Sequence, residues 1–425
     1  MALSRRDFTR LFAAGGSAAL FVHPEFAFAR PAALPPTGAA AGDAFWNGVR
    51  DQFVMPPGLA VMNAANLCPS SRPVLESMYG ATRDIDQDPS QNNRAKLYPA
   101  KEETRARLAR FLRVTPEEIV ITRNTSESNN LISNGLDLKP GDEVVIFHDN
   151  HPSNNAAWRK KAKRFGYTVT ELPNPNPHPG AEYYVDAVRK ALSAKTKVLA
   201  FTHLTSTVGD LMPAADMCRV ARERGVLSVL DGAQSFGLLD VDLSAIQPDF
   251  YTGSAHKWPC GPKEAGVLFV SSRIQDRVWP SIYSAYTGAV GLSKTFEGFG
   301  QRDDAAIVAF GEAIAFQEKV GRANIEKRAR ELTQALIAGL QNIPGVRLWT
   351  STSPDRSAAV VSFLPGSLNP QTLTTALYEK DKIACATRGG ADRGGLRFSP
   401  HLYNTTAEVE RVLAALTRYV KSGVS

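Results

Sequence analysis

Cysteine is scarce in this chain. Cys68, Cys218, Cys260 and Cys385 are the only four in 425 residues, and none forms a CxxC pair. That spacing excludes a disulfide-dense scaffold and leaves buried free thiols as the expectation. Long hydrophobic runs are missing as well. No stretch reaches the ~18 uninterrupted apolar residues of a spanning helix, so no stable membrane anchor is expected. No Lys/Arg stripe is interleaved with aromatics, which argues against nucleic-acid binding. Charge of one sign is not in large excess: 49 basic against 42 acidic residues give a formal +7. Glycine (32) and proline (27) stay near ordinary usage, which excludes collagen-like and low-complexity chains. What remains, 43% hydrophobic and 21% charged, is the composition of a folded globular protein.

The N-terminus reads as an address. Ser4-Arg5-Arg6-Asp7-Phe8 opens the chain, an Ala/Gly-rich apolar stretch runs from Leu11 to Val22, and Ala27-Phe28-Ala29 forms a small-x-small cleavage pattern. These are the three parts of an export signal. The paired arginines before Phe8 resemble the twin-arginine signal. That resemblance implies folding in the cytoplasm, passage through the twin-arginine translocation machinery, and a periplasmic mature protein. Residues 1–29 are therefore expected to be the signal peptide. Residues 30–57, with the Pro/Ala/Gly-rich 30–45, are expected to be a leader segment.

Beyond it, strand and helix alternate. Glu118–Thr122, Glu143–Phe147, Lys197–Phe201, Leu227–Leu230 and Gly266–Val270 are short apolar β-type runs, with helical stretches such as Ser128–Leu136 and Ala214–Arg224 between them. This pattern predicts an α/β fold with a mostly parallel sheet covered by helices on both faces. Ligands are expected at the carboxyl ends of its strands. From about residue 305 the pattern changes to long helices (305–316, 325–340), strands near 346–349 and 358–363, and a last helix at 407–420. Residues 58–304 are expected to form a large ligand-binding domain and 305–425 a smaller α+β domain.

The chemistry-bearing residues stand at strand ends. Asp231-Gly232-Ala233-Gln234 closes one apolar strand, and Ser254-Ala255-His256-Lys257 closes another. A lone lysine is ordinarily a solvated charge, and an Asp before Gly ordinarily a turn residue. Together in this order they suit pyridoxal phosphate, which needs a lysine for covalent attachment and an acidic partner for its ring nitrogen.

The motifs DGAQ and SAHK resemble those of the class V aminotransferase family of fold-type I pyridoxal-phosphate enzymes. Further segments resemble that family too, over roughly residues 58–420. Arg123-Asn124-Thr125-Ser126-Glu127 opens a helix after a strand. His151 follows the EVVIF strand. The loop His203–Gly209 resembles the isopenicillin N epimerase-like branch, and Leu396–Thr405 resembles the segment that carries a substrate-binding arginine. The resemblance implies roles. Lys257 carries the cofactor and shuttles a proton, Asp231 pairs with the ring nitrogen, and His151 stacks on the ring. Gln234 bonds the phenolic oxygen. Thr125, Ser126, Ser254 and His256 hold the phosphate. Arg397 grips the substrate α-carboxylate, and Asn63, in the loop Asn63–Asn66, lies on the substrate side. A small-molecule amino substrate and a homodimer are implied as well. No metal is expected.

Two segments depart from relatives. Cysteine desulfurases carry a nucleophilic cysteine on a loop shortly before the C-terminal arginine, and here residues 387–395 contain none. Gly300-Gln301-Arg302-Asp303 stands where many relatives have a Gly-Thr pair through which a partner subunit reaches the phosphate. The chemistry favoured by this reading is of the aminotransferase type, acting on an amino acid or a peptide-linked amino group. Exported family members that tailor the siderophore pyoverdine offer one precedent. Alternatives are an epimerase or racemase, a lyase, and a non-catalytic pyridoxal-phosphate- or amine-binding protein.

Overall fold

The computed structural model describes residues 42–389 and 392–424; the expected signal and the first part of the expected leader lie outside them. Seven strands form the central sheet: β1 (Ile119–Thr122), β2 (Glu143–Phe147), β3 (Thr168–Leu172), β4 (Thr196–Thr202), β5 (Leu227–Asp231), β6 (Phe250–Ser254) and β7 (Gly266–Val270). Their spatial order is β1-β7-β6-β5-β4-β2-β3. From β3 across to β6 every neighbouring pair is parallel. β7 runs antiparallel to both β6 and β1. The segment 255–265 is too short for the crossover a parallel neighbour needs, so the chain turns straight back. β5, β6 and β7 are buried along their whole length. That matches their continuous apolar reading and two helix-covered faces.

The longer helices are α1 (Asp43–Arg50), α2 (Arg72–Gln87), α3 (Leu97–Leu112), α4 (Thr125–Gly135), α5 (Pro152–Phe165), α6 (Ala181–Ala191), α7 (Ala214–Glu223), α8 (Asp304–Val320), α9 (Arg322–Gln341), α10 (Pro370–Asp381) and α11 (Thr406–Ser422). None among the described residues is long and apolar enough to cross a membrane. A second sheet is antiparallel, with β8 (Val346–Leu348), β9 (Val361–Pro365), β10 (Ala386–Arg388) and β11 (Gly395–Phe398) in the order β10-β11-β9-β8. Leu336 and Leu340 of α9, Leu377 of α10 and Val412 and Leu416 of α11 pack with Phe363 and Phe398 into a core of its own.

The expected leader needs one correction. Its last part is not free chain: α1 buries Phe45, Trp46 and Val49 in the main core, and Phe53 packs edge-on to Phe316 and Tyr403. Three large apolar side chains in so short a stretch gain more from burial than ordering their backbone costs.

Candidate active site

The carboxyl ends of β5 and β6, the N-termini of α4 and α5, and strands β10 and β11 enclose a cavity of about 560 Å³. Asn63, Thr125, Ser126, His151, Asp231, Gln234, Ser254, His256, Lys257 and Arg397 all line it. Every site residue expected from the sequence is thus in one place, the strand ends where α/β sheets bind ligands.

Lys257 lies just past β6 on a segment held by its backbone. The His256 carbonyl accepts from Cys68 N–H at 2.8 Å, and the Lys257 carbonyl from Cys260 N–H at 3.0 Å. The next carbonyl, Trp258, accepts from Gln317 Nε2 and bonds His401 Nε2, each at 2.7 Å. Burial pushes the Lys257 ammonium down to about 8; Asp231 opposes that shift and Arg397 adds to it. A buried amine of this kind is in part neutral, and so nucleophilic, at neutral pH.

Asp231 ends β5 and is fully inside. Its Oδ2 accepts from Asn129 Nδ2 at 2.9 Å and from Asn154 Nδ2 at 3.2 Å, and its Oδ1 from Ala233 N–H at 3.0 Å. Three neutral donors hold this carboxylate in place without cancelling its charge, so it can still face a cation. The turn after it must be glycine. A Cβ on Gly232 would sit 2.1 Å from the Tyr251 ring.

The anion end lies at the start of α4. Asn124 caps that helix through Glu127 N–H at 3.0 Å. Thr125 N–H donates to Ser254 Oγ at 2.9 Å, and the two hydroxyls are 2.8 Å apart. Ser126 and His256 complete this side, and the buried His256 Nδ1 has no partner. Burial, with Lys257 beside it, pushes that imidazole down to about 4. A helix N-terminus with hydroxyls and an unpartnered imidazole nitrogen is suited to a phosphate.

His151 caps α5, and its Nδ1 accepts from Ser153 N–H at 3.2 Å. Burial and the Lys257 charge lower its pKa, against the pull of Asp231. The neutral ring therefore carries its proton on Nε2. Gln234 is more engaged than expected: Nε2 donates to the Ala65 carbonyl and Oε1 accepts from Trp258 Nε1, each at 2.9 Å. One of its N–H bonds is left for a ligand oxygen.

Arg397 stands on β11. Nη1 donates to the Ser206 carbonyl at 2.9 Å, Nη2 donates to Asn63 Oδ1 at 3.2 Å, and the buried Nε has no partner. Burial, with Arg388 nearby, lowers it to about 10. Asn63 thus orients this arginine. Arg302 instead donates to the Ile121 carbonyl at 2.6 Å, and Gln301 Oε1 accepts from Arg94 Nη1 at 2.8 Å. Cys385, between Ile383–Ala384 and β10, has its thiol pushed up to about 12 by burial.

Sequence reasoning missed Asn129 and Asn154, which hold Asp231, and offered Arg388, with Arg302 and Arg393, only as a substitute for Arg397 in binding the substrate carboxylate. Asn129 sits one helical turn inside α4 and Asn154 in the first turn of α5, where only tertiary packing turns them toward β5.

The donor set fits pyridoxal phosphate. Thr125, Ser126, Ser254 and His256 would hold its phosphate, Asp231 would pair with its ring nitrogen, and Lys257 would carry it. Comparison with known proteins agrees. The aminotransferase class-V family model matches residues 72–412. The chain is similar to the isopenicillin N epimerase of Amycolatopsis lactamdurans, 30% identical over 394 residues, 88% of this chain and 99% of that one. It is also similar to a probable cysteine desulfurase of Pyrococcus abyssi, 30% identical over 342 residues, 76% of this chain and 83% of that one. In fold it resembles the cysteine desulfurase of Thermococcus onnurineus NA1, with a TM-score of 0.80 at 24% identity over 88% of this chain and 98% of that one. The cavity and these likenesses together identify the chain as a pyridoxal-phosphate-dependent enzyme belonging to the class V aminotransferase family.

Proposed function

We propose that the protein is an aminotransferase-type enzyme acting on the amino group of an amino acid or of a peptide-linked amino acid, with Lys257 as its one proton-transferring base. The observation that carries this reading is that Lys257 and Arg397 share one cavity in which His151 is tied down through Nδ1. Bound pyridoxal phosphate supplies an electron sink for negative charge at the substrate α-carbon. Arg397, already aligned by Ser206 and Asn63, binds the α-carboxylate and so fixes which face of the substrate meets Lys257. Lys257 Nζ takes and returns the α-proton. His151, with its proton on Nε2, is a donor and a packing surface rather than a second base.

A second reading, epimerisation, is favoured by the name of the relative that is 30% identical over most of its length. Epimerisation with two bases needs an acceptor on each face of the α-carbon, and the tethered His151 does not offer one. Desulfuration is disfavoured because residues 387–395 lack a cysteine and Cys385 is held as a thiol.

Two further elements belong to the proposal. Trp279, Ile282, Tyr283 and Tyr286 stand exposed around one groove, which supports burial against a second copy in a homodimer. The segment from Ser4 to Ala29 supports export of the folded protein to the periplasm.

The test is to incubate the holoenzyme with an L-amino acid and a 2-oxo acid and analyse the mixture by chiral chromatography and mass spectrometry. Equimolar new amino acid and new oxo acid support the proposal. The D-enantiomer without oxo acid establishes epimerisation instead, and sulfur release from cysteine establishes desulfuration.

A further inference from the structure

Arg388 lines the same cavity as Arg397. The two stand on adjacent antiparallel strands. Arg397 of β11 lies directly opposite Ala386 of β10, and Arg388 opposite Gly395. Residues directly opposite share a face, and so do residues two apart on one strand. Arg388 and Arg397 are therefore diagonal neighbours on one face of the sheet, about 7–8 Å apart.

Arg397 spends two donors on Ser206 and Asn63, but Arg388 makes no side-chain hydrogen bond or ion pair among the described residues. The nearby acid that could balance it is already committed. Asp149 is held by both ends of Arg393, at 2.5 and 2.7 Å. Asp231 is the one carboxylate lining the cavity among the described residues, and it is the partner this site offers to the cofactor's ring nitrogen. Burial lowers the pKa of Arg388, with Arg393 adding to that and Asp149 opposing it. The phosphate-type donors lie elsewhere, at the start of α4. Two like charges side by side on a partly buried face destabilise each other unless anions sit between them and the solvent. One α-carboxylate satisfies one guanidinium.

We propose that Arg388 is a second anion receptor, and that the substrates are dicarboxylic amino acids whose α-carboxylate binds Arg397 and whose distal carboxylate binds Arg388. This rests on the amino-acid reading above and adds the substrate class. Arg388 is then a specificity-determining residue; the proton transfer at Lys257 does not depend on it.

The experiment compares L-glutamate with L-glutamine, which has nearly the same size without the distal charge, in the native holoenzyme and in Arg388→Gln and Arg388→Lys. Equilibrium binding of glutarate and of its mono-amide is measured on the same three holoproteins. The native enzyme should prefer glutamate in kcat/KM by about 30-fold, the lower range for a charged pair at a recognition site. Arg388→Gln should abolish that preference by weakening glutamate alone, and Arg388→Lys should keep part of it. Glutarate should bind the native protein more tightly than the mono-amide, and the difference should vanish in Arg388→Gln.

Equal use of glutamate and glutamine by the native enzyme overturns the proposal. So does an equal fall for both in Arg388→Gln, because a merely structural residue would give that. If neither amino acid is turned over while glutarate binding still depends on Arg388, the amino-acid reading fails and the dicarboxylate receptor stands. If glutarate binding is indifferent to Arg388, the receptor fails whatever the turnover.

Discussion

Replacing Arg397 with lysine separates substrate binding from cofactor binding. The guanidinium has five N–H donors. One goes to the Ser206 carbonyl at 2.9 Å and one to Asn63 Oδ1 at 3.2 Å, so three remain, including the unpartnered Nε. That leaves two parallel donors for a carboxylate while the arginine stays anchored. A lysine ammonium has three donors on one atom. It cannot keep both anchors and also make two parallel bonds to an anion. Losing such a pair in a buried site costs about 2–5 kcal/mol. At ~1.4 kcal/mol per factor of ten, kcat/KM for a simple amino acid should fall roughly 30-fold to several thousand-fold. Cofactor content should stay the same, because Thr125, Ser126, Ser254 and Asp231 lie on other elements. Steady-state kinetics and absorbance of the bound cofactor read the two effects separately. Undiminished kcat/KM, or a fall accompanied by loss of cofactor and of thermal stability, would refute the role given to Arg397.

Three other outcomes follow from the same geometry. Covalent attachment of pyridoxal phosphate to cofactor-free protein needs neutral Lys257, so its rate should rise with pH and level off above about 8. At pH 7 about a tenth of the amine is neutral, roughly 300 times the fraction for an ordinary lysine. Asp231→Asn removes the charge that opposes burial and should move the midpoint lower; a midpoint near the ordinary 10.5 contradicts the buried environment. Glu297→Ala strips buried Arg105 of the carboxylate that holds it at 2.5 and 2.9 Å and leaves Ile121 N–H without its acceptor. Because Glu102 still bonds Arg105 Nε, the stability loss should sit at the lower end of about 3–5 kcal/mol, read by denaturant unfolding. Arg5→Lys combined with Arg6→Lys should hold the protein in the cytoplasm, because a receptor reads the pair rather than its charge; unchanged periplasmic yield rejects the twin-arginine reading.

Much of the site was legible because its residues cap apolar strands. β5 ends in Asp231 and β6 leads to Lys257, and a polar residue closing a buried run stands out in any sequence. Local pattern failed where the signal was weak or tertiary. β3 is an edge strand whose TVTEL is half-buried or exposed at every position, so it has no apolar run to find. α1 was hidden at the end of a Pro/Ala/Gly-rich stretch, although Phe45 and Trp46 were a usable sign of burial. Arg388 was legible only as one of several arginines in 388–397. Its place beside Arg397 comes from the pairing of β10 with β11, which sequence order does not show.

The central claim is that Lys257 carries the cofactor in the cavity facing Asp231. Borohydride reduction of the holoenzyme followed by peptide mapping tests it most directly. A pyridoxyl adduct on Lys257, absent in Lys257→Ala, is the result the account predicts. An adduct on any other lysine, or none in a preparation that visibly contains cofactor, would contradict it.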